Sequence, residues 1–421
     1  MYMVIFMPKR ALFLLCVISF LLCFAQRAAG EINPNPGVVQ KQTHENEKLN
    51  MYAKSYALMD GESGRLLIGE KSGEAMANAS TTKILTCILA LELGDEESVV
   101  TVSANAVAQP KVHLGMKTKE QFYMKDLLYG LMLESYNDCA VAIAEGVCGD
   151  VESFVQKMND KALELGCVDT HFVTPNGLDR EDETAAHHTT AEDLCRIMKY
   201  CAWDSPKSER FLEITQTRSY TFCDLDGKSF TVNNHNLLLD MMNGVITGKT
   251  GYTAKAGYCY VAAMEDNGRR FCIALLACGW PEHKNYKWLD SKKLLGYGTE
   301  HYQVYQCEET CLDIDKIPVR GGYKEGMLSE WGNSTTLSLY ADNGPDQLSF
   351  LKADWDEVIV KKEMKKGIPL PVYTGDVMGK ISFWVGEEEL FFYDICAGED
   401  LFQWDFESFQ NAVLKDFFMR D

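Results

Sequence analysis

A serine hydroxyl and a lysine amine lie three positions apart in the segment Ser80-Thr81-Thr82-Lys83. Residues at positions i and i+3 of a helix share one face, with Cβ atoms about 5–6 Å apart. A serine hydroxyl at its free pKa is a poor nucleophile and needs a base beside it. Lysine is such a base only where burial or a nearby positive charge lowers its pKa. The spacing therefore predicts Ser80 as a nucleophile that is activated by Lys83.

The residues after Lys83 predict that this pair stands at the beginning of a buried helix. A charged ammonium is costly among apolar side chains, which favours the neutral amine. An S-x-x-K match is weak evidence by itself, because such matches arise by chance in a chain of this length and most of their lysines are solvated. The apolar residues of the predicted helix are Ile84, Leu85, Cys87, Ile88, Leu89 and Leu91.

Two further motifs carry the same residue types. They are Ser135-Tyr136-Asn137 and Lys249-Thr250-Gly251. Ser135 lies at a break between helices predicted over 124–133 and 138–147, and Lys249 shortly precedes a strand predicted over 258–264. The chain thus has two hydroxyl–amine combinations that the fold could bring together.

Each motif meets a requirement of attack on an amide carbonyl. Negative charge develops on the carbonyl oxygen and needs fixed N–H donors, which the backbones of Ser80 and Tyr252 are predicted to provide. Ser135 and Lys249 are predicted to pass a proton to the leaving amine, and Gly251 to leave space for a substrate backbone along the strand edge. The predicted catalytic residues are Ser80, Lys83, Ser135, Asn137 and Lys249, and the predicted substrate-binding residues are Thr250, Gly251 and Tyr252, with Lys249 and Thr250 also suited to a substrate carboxylate.

The elements around these motifs alternate strand hairpins with amphipathic helices. Apolar runs on either side of 61–64 and of Asp266-Asn267-Gly268 predict two β-hairpins. Further helices are predicted over 155–165 and 291–297, and from about residue 307 short strands and turns are typical of a separate β domain. The fold class is therefore predicted to be α/β (α+β) with a small C-terminal β domain.

The composition is that of a globular protein, and its charge excludes some partners. The chain has 421 residues, 46% hydrophobic and 24% charged, which is enough for two or three domains with large cores. Its formal net charge is −20. Nucleic acids require basic surface, so no nucleic-acid partner is expected.

The first 30 residues have the pattern of a secretory signal peptide. Lys9 and Arg10 precede an apolar run over 11–25, and Ala28-Ala29-Gly30 provides small residues for cleavage. The run is shorter than the roughly 20 residues that span a bilayer, which favours cleavage over an uncleaved anchor. We therefore expect an exported protein, located in the cell envelope on the extracytoplasmic face of the membrane or secreted.

The predicted organisation ends in an amphipathic helix. Apolar side chains recur at helical spacing over 402–418, which predicts either peripheral contact with a membrane surface or docking on the β domain. Lys415 and Arg420 are few cations for a membrane-surface helix. The predicted segments are 1–30 (signal peptide), 31–50 (linker), 51–303 (catalytic domain), 304–398 (C-terminal β domain) and 399–421 (amphipathic helix).

Fifteen cysteines do not predict a disulfide scaffold. Thirteen remain after residue 30, an odd number, and no C-x-x-C pair occurs. Cys307 and Cys311 are spaced so that they could pair. Free buried cysteines behave as small hydrophobic side chains. We expect this of Cys87, Cys139, Cys259, Cys272 and Cys278.

Three histidines, His171, His187 and His188, lie close together in the chain. No carboxylate or cysteine spacing around them fits a metal site. Structural roles are therefore predicted for them, and no metal or other cofactor is expected.

The order of the three motifs resembles that of penicillin-binding proteins and class A β-lactamases. In particular, the chain resembles the serine-type D-alanyl-D-alanine carboxypeptidases, the low-molecular-mass penicillin-binding proteins. The resemblance covers roughly residues 50–300, and 369–385 resembles the C-terminal β domain of that family. The segments that carry it are 79–83, 134–140, 170–179, 248–253 and 255–259.

The resemblance implies a β-lactamase/transpeptidase-like five-stranded antiparallel sheet packed with helices. It also implies an acyl-enzyme on Ser80 that removes the terminal D-alanine from peptidoglycan pentapeptide stems, with the stem peptide and β-lactams as partners. Two departures from the family pattern occur. Tyr136 is bulkier than the usual glycine, which would narrow the cleft. Some members hold the substrate carboxylate with an arginine after the last strand, where this chain has only Lys284 and Lys287 nearby.

The residues leave three alternative functions open. A β-lactamase would need a second carboxylate for fast deacylation in an E-x-x-L-N type motif, and none occurs between Asn137 and Lys249. A D,D-endopeptidase acting on cross-links would use the same site. A non-catalytic cell-wall scaffold would keep the fold without the chemistry, against which the intact motifs argue.

Overall fold

The computed structural model describes residues 49–307, 312–324, 334–342, 348–403, 406 and 410, all within one unit that comprises residues 45–421. The described strands before residue 307 are β1 (Ser55–Asp60), β2 (Leu66–Glu70), β3 (Val99–Thr101), β4 (Gln121–Tyr123), β5 (Ser219–Cys223), β6 (Ser229–Asn233), β7 (Val245–Thr253), β8 (Gly257–Asp266), β9 (Arg269–Leu276) and β10 (Tyr302–Gln306). Five of them form one antiparallel sheet in the order β2-β1-β9-β8-β7. The predicted five-stranded sheet and both predicted hairpins are confirmed.

The sheet is buried on both faces, which explains why its central strands are almost continuously apolar. In β8, Val261 and Ala263 pack into a core on one face, whereas Tyr260 and Ala262 pack into a second core on the other. Strand β7 lies at the edge, so one side of its backbone faces away from the sheet. This edge carries the Lys249 motif.

Helices cover both faces of the sheet. The first core contains side chains of α1, α4 and α6, and the second contains side chains of α9. The helices are α1 (Lys83–Leu93), α2 (Ala104–Val107), α3 (Met124–Tyr129), α4 (Asn137–Cys148), α5 (Val151–Glu164), α6 (Ala191–Lys199), α7 (Ser208–Gln216), α8 (Leu238–Met241) and α9 (Tyr286–His301), with 3-10 turns at Ala79–Thr82 and Pro281–His283 and π-helical turns at Gly130–Glu134 and Tyr200–Asp204.

Some helix boundaries differ from those predicted. The helix predicted over 155–165 begins earlier, at Val151, because the Asp150 side chain accepts a hydrogen bond from the Ser153 N–H and caps the first turn. The helix predicted over 291–297 is longer and extends over Tyr286–His301. These helices therefore extend beyond the apolar residues that predicted them, because capping contacts and polar first turns add residues to them.

The C-terminal part consists of short strands, as predicted. Four of them form an antiparallel sheet in the order β14-β18-β17-β16, and β10 pairs with β15. Strand β10 spans the boundary predicted at 303/304, so that division of the chain stays a prediction. The strands are β11 (Ile317–Arg320), β12 (Gly322–Tyr323), β13 (Ser334–Leu337), β14 (Leu339–Ala341), β15 (Ser349–Ala353), β16 (Val358–Met364), β17 (Val377–Val385), β18 (Glu388–Ala397) and β19 (Phe402–Gln403).

The beginning of the predicted C-terminal helix was wrong. Phe402 and Gln403 form a short strand that pairs with Gly322–Tyr323, because their backbone groups complete a two-stranded ladder. The rest of the predicted 402–418 helix lies outside the described residues, apart from Phe406 and Gln410. Within the described ranges, no helix combines the length and apolar character needed to cross a bilayer.

The prediction for the buried cysteines is confirmed. Each of the five is buried, and none forms a disulfide. Burial raises the pKa of Cys259 to about 12, so this thiol stays protonated at neutral pH. Cys311 lies outside the described residues, and its pairing with Cys307 stays a prediction.

Candidate active site

Ser80 lies in a tight 3-10 turn immediately before α1, not within the helix as the spacing suggested. The turn begins at Ala79, whose φ of +51° is left-handed. The Thr81 and Thr82 hydroxyls donate to the carbonyls of Asn78 and Ala79, each at 2.8 Å. The Asn78 carbonyl also accepts from the Thr81 N–H at 3.3 Å, so side-chain and backbone hydrogen bonds together close the turn. They hold the serine on a closed turn at the N-terminal end of α1.

Lys83 lies beneath this turn, fully buried, with three hydrogen-bond partners. Its Nζ is 2.7 Å from Ser80 Oγ, 2.9 Å from Asn137 Oδ1 and 2.6 Å from the Asn176 carbonyl oxygen. A neutral amine has two hydrogens and one lone pair. It can donate to Asn137 and Asn176 while its lone pair faces the Ser80 hydroxyl. This geometry suits a base that takes the serine proton.

The pKa of Lys83 is well below its ordinary value. Burial is the largest cause, and the positive charge of Lys249 is the second. The surroundings therefore favour the neutral amine near pH 7. The sequence predicted that apolar surroundings would lower the pKa of Lys83, and burial is indeed the largest cause.

Ser135 and Asn137 lie on either side of an abrupt break between two helices. The chain leaves α3 through the π-helical turn Gly130–Glu134, and Ser135 then adopts a left-handed φ of +65° before α4 begins at Asn137. A β-carbon makes this conformation costly, so packing must enforce it. The break directs Asn137 Oδ1 to Lys83 and leaves Ser135 Oγ facing β7.

Lys249 on β7 completes the second hydroxyl–amine pair. Its Nζ is 2.9 Å from Ser135 Oγ and 3.0 Å from the Thr250 carbonyl oxygen. Burial lowers the pKa of Lys249 to about 7. Lys249 is therefore poised to gain or lose a proton near neutral pH, which is the range that general acid–base catalysis requires, and the pKa of Lys83 is shifted in the same direction.

Gly251 has a different structural reason from the one predicted. A Cβ at this position would lie 2.8 Å from the backbone nitrogen of Ser80 and 2.9 Å from the carbonyl oxygen of Asn78. The space that its missing side chain leaves is thus occupied by the Ser80 turn and not reserved for a substrate. The glycine allows the edge strand to pass directly against the nucleophile's backbone N–H.

The predicted residues border one cleft of about 460 Å³. Lys83 is the exception, because it lies under the cleft floor in contact with Ser80. Tyr136 does not border the cleft: its ring packs against Gly130 and the first core, so the expected narrowing was wrong. The predicted site residues along the cleft are Ser80, Ser135, Asn137, Lys249, Thr250, Gly251 and Tyr252.

Lys284 and Lys287 also border this cleft. Lys287 is largely buried, and its Nζ lies 4.5 Å from the centre of the Tyr258 ring and 4.7 Å from that of Trp288. It also donates to the carbonyl oxygen of Lys284. Burial lowers the pKa of Lys287 to about 8. Some family members have an arginine after the last sheet strand, and in this chain the amines of Lys284 and Lys287 border the cleft in that region.

Sequence reasoning missed two contributors to the site. The carbonyl of Asn176 accepts a hydrogen bond from Lys83, although 170–179 was identified only as a segment that resembles the family. The Asp138 carboxylate accepts from the N–H groups of Leu114 and Gly115, both at 2.9 Å, and fixes a loop beside the cleft. A backbone carbonyl has no sequence pattern, but an acid directly after Ser135-Tyr136-Asn137 could have been identified as a loop anchor.

The three histidines have separate contacts. His171 Nε2 lies 2.8 Å from Asp182, and His188 Nδ1 lies 2.6 Å from the Ala186 carbonyl. His187 is buried and contacts Thr82. Over the described ranges there is no group of three or more histidine, cysteine or acidic side chains that could hold a metal ion.

Comparison with known proteins shows which proteins this chain resembles. The model of the family described as D-alanyl-D-alanine carboxypeptidase matches residues 40–278. The D-alanyl-D-alanine carboxypeptidase DacF of Bacillus subtilis (strain 168) is 29% identical over 415 residues, which are 97% of this chain and 98% of that protein. The D-alanyl-D-alanine carboxypeptidase DacA of Escherichia coli (strain K12) is 30% identical over 342 residues, 79% of each chain.

A solved structure agrees with these relatives. Penicillin binding protein 5 from Haemophilus influenzae superimposes with a TM-score of 0.67 at 25% identity, covering 85% of this chain and 99% of that one. The fold, with its five-stranded sheet, is thus shared with a penicillin-binding protein. The chain belongs to the D-alanyl-D-alanine carboxypeptidase family of serine hydrolases. The predicted family, fold class and enzyme class are confirmed.

Proposed function

We propose that this enzyme removes the terminal D-alanine from peptidoglycan pentapeptide stems, with Ser80 as the nucleophile. The Ser80 hydroxyl gives its proton to neutral Lys83, and its oxygen bonds to the carbonyl carbon of the penultimate D-alanine. The charge on the carbonyl oxygen is stabilised by the N–H groups of Ser80 and Tyr252. The 2.7 Å contact between Ser80 Oγ and buried Lys83 Nζ is the observation that carries the proposal.

The second hydroxyl–amine pair completes the acylation step. As the C–N bond of the scissile peptide breaks, the Ser135 hydroxyl gives a proton to the leaving D-alanine amine and is reprotonated by the Lys249 ammonium. Proton exchange with solvent then returns Lys83 to the amine and Lys249 to the ammonium. Water attacks the Ser80 ester and gives one proton to Lys83, which passes it to the Ser80 oxygen as the ester C–O bond breaks. The stem leaves with the water oxygen as a tetrapeptide carboxylate, and the second water proton goes to solvent. The 2.9 Å contact of Ser135 with Lys249, whose pKa is about 7, supports this relay.

We assign the substrate's terminal carboxylate to the cationic side of the cleft. Lys249 and the Thr250 hydroxyl stand on the edge strand, and Lys284 and Lys287 border the same cleft. A carboxylate bound there would favour the charged form of each amine, because an opposite charge at close range raises a lysine pKa. An anionic C-terminus therefore suits this end of the cleft better than an internal peptide bond. Asn137 holds Lys83 in place from the opposite wall.

The nucleophile is tested by mass spectrometry after exposure to penicillin. We expect one covalent adduct on a peptide that contains Ser80, absent in Ser80→Ala, together with D-alanine release from a pentapeptide that the same variant abolishes. Ser135→Ala is expected to acylate slowly. The matched control is Ser103→Ala, since Ser103-Ala104-Asn105 has the same S-x-N pattern but Ser103 only caps α2. Acylation of a Ser80→Ala protein would contradict the assignment.

Two substrate assays separate the remaining functions. D-alanine release from a monomeric muropeptide is expected to exceed cleavage of a cross-linked dimer, and the reverse order would make the enzyme an endopeptidase. Rapid turnover of a chromogenic cephalosporin would instead favour a β-lactamase. Binding of a pentapeptide without any D-alanine release would favour a scaffold role.

We further propose that the enzyme acts outside the cytoplasm on the cell wall. The signal-peptide pattern over 1–30 supports export with cleavage, and the location of peptidoglycan requires it. The apolar spacing over 402–418 supports peripheral contact with the membrane surface, beginning after the strand at Phe402–Gln403. Co-sedimentation of the full chain with lipid vesicles, compared with a chain ending at residue 403, tests this contact.

A further inference from the structure

His187 lies directly behind the turn that carries the nucleophile. Only 3% of the residue is exposed, and its ring packs edge-on against Phe172, with centroids 5.4 Å apart. Its Nε2 lies 2.9 Å from the Thr82 hydroxyl oxygen, and its Nδ1 accepts from the backbone N–H groups of Val173 and Thr174 at 3.1 and 3.4 Å. The ring therefore bridges two chain segments that are far apart in sequence.

These contacts determine where the imidazole proton resides. Because backbone N–H groups point at Nδ1, that nitrogen must carry a lone pair. The hydrogen of the neutral ring is thus on Nε2, which donates to Thr82 Oγ1. The Thr82 hydroxyl in turn donates to the Ala79 carbonyl at 2.8 Å and accepts from Asn78 Nδ2 at 2.9 Å. The Thr82 hydroxyl thus has one acceptor and two donors as partners, and both ring nitrogens of His187 are hydrogen-bonded.

The two bridged segments together form the surroundings of Lys83. The turn supplies Ser80, and the segment that begins at Val173 leads to Asn176, whose carbonyl oxygen lies 2.6 Å from Lys83 Nζ and 3.5 Å from Ser80 Oγ. They also meet closely at Gly177, where a Cβ would lie 1.9 Å from the Ala79 carbonyl oxygen. A shift of one segment against the other would change the Ser80–Lys83–Asn176 geometry directly.

We propose that His187 is a positioning residue that fixes the nucleophile's turn against the Asn176 segment by donating from Nε2 to Thr82 while accepting at Nδ1. This inference rests on the proposed function, since it concerns the base that activates Ser80. Burial lowers the pKa of His187 to about 3, and the charged and titratable groups around the ring, His188, His171, Lys83 and Lys255, are all basic and act in the same direction. A positive imidazolium is therefore disfavoured, and the neutral donor–acceptor form is maintained.

Two substitutions separate the two halves of the contact. His187→Gln places an amide donor near the Nε2 position and can keep the bond to Thr82, whereas His187→Asn places a carbonyl near the Nδ1 position and loses Thr82. We expect penicillin acylation in His187→Asn to slow by about tenfold or more, because small misplacements of reacting groups are costly. His187→Gln should recover most of that loss. His188→Gln is the neighbouring control, because His188 does not contact the turn, and it should acylate like the wild type.

A further readout distinguishes positioning from loss of stability. In His187→Asn the acidic limb of the acylation–pH profile should move to higher pH, because a loosened turn admits water to Lys83 and raises its pKa. Thr82→Val should reproduce the defect, and adding it to His187→Asn should cost little more, since coupled partners are not additive. The inference is overturned if Asn and Gln acylate equally, if the limb stays in place, or if the two losses add fully. If the wild type forms no penicillin adduct, the proposed function fails instead.

Discussion

Replacing Gly251 with alanine tests how closely the edge strand must approach the nucleophile. The added Cβ would meet backbone atoms, 2.8 Å from the Ser80 nitrogen and 2.9 Å from the Asn78 carbonyl oxygen. Ordinary carbon contacts of this kind begin near 3.4 Å, so strand β7 and the Ser80 turn must separate by at least half an ångström. A flexible side chain could turn aside, but two backbone segments cannot.

The expected loss in acylation rate follows from the size of that displacement. A misplacement of about 1 Å can cost about a hundredfold in rate, so a shift of half that size predicts a loss of roughly tenfold to a hundredfold in acylation. The same movement separates the Ser80 and Tyr252 N–H groups, which share the oxyanion in the proposed mechanism. Overpacking should also lower the free energy of unfolding by about 1–3 kcal/mol.

Stopped-flow acylation with a fluorescent penicillin measures this loss, and urea unfolding measures the stability. Gly73→Ala is the control, because a Cβ at Gly73 meets no atom within 4 Å and its φ is not left-handed. It should acylate at the wild-type rate. A Gly251→Ala protein whose acylation stays within twofold of the wild type would refute the argument that this contact holds the site together.

Three further predictions concern charge. The rate–pH profile of acylation should have an acidic limb far below a free lysine's pKa of about 10.4, because only neutral Lys83 can take the Ser80 proton and burial lowers the pKa of that amine. Lys249→Gln removes the positive neighbour that also lowers the pKa of Lys83, and it should move this limb to higher pH. Arg65→Met should lower the free energy of unfolding by about 1–3 kcal/mol in urea titrations, because it leaves two carboxylates of the C-terminal part without their cation. The control is Lys71→Ala, which removes an exposed ion pair and should change the free energy of unfolding by less than about 0.5 kcal/mol. The N–H groups of Leu114 and Gly115 donate to the two carboxylate oxygens of Asp138, and Asp138→Asn leaves only one oxygen to accept from them. The loop beside the cleft should then be held less firmly, so KM for a pentapeptide should rise with little change in the melting temperature. An unchanged KM would contradict the loop-anchor role.

The contact of Ser80 with Lys83 could be predicted because it depends on spacing and on residue type. Likewise, the turn residues at 266–268 specified a hairpin in the central sheet. The meeting of Ser135 with Lys249 is different. It joins residues 114 positions apart, and no local pattern encodes it. The family motifs supplied that pairing, and the sheet edge explains it.

What could not be predicted depends on backbone atoms. The Asn176 carbonyl serves Lys83, but every residue has a carbonyl, so sequence gives no sign of which one is used. The left-handed φ of Ser135 runs against its side chain's preference and is imposed by the π-helical turn before it. The sequence did not show that Gly251 lies against the Ser80 turn, because only coordinates show which atoms approach a missing Cβ.

The site's electrostatics follow from what its two buried amines do not contact. Within the described part of the chain, the hydrogen-bond partners of Lys83 and Lys249 are hydroxyl, amide and carbonyl oxygens, and none is a carboxylate. Buried ammonium groups without a counter-ion are costly, so the free enzyme favours neutral amines.

Positive charge then appears on Lys83 only when it takes the serine proton, at the moment when negative charge develops on the substrate's carbonyl oxygen. The substrate's own carboxylate can supply the missing counter-charge beside Lys249 and favour its ammonium, the form that must reprotonate Ser135. A substrate analogue that lacks the terminal carboxylate should therefore acylate more slowly even where its binding is unchanged, because the proton relay, and not only the affinity, depends on that charge.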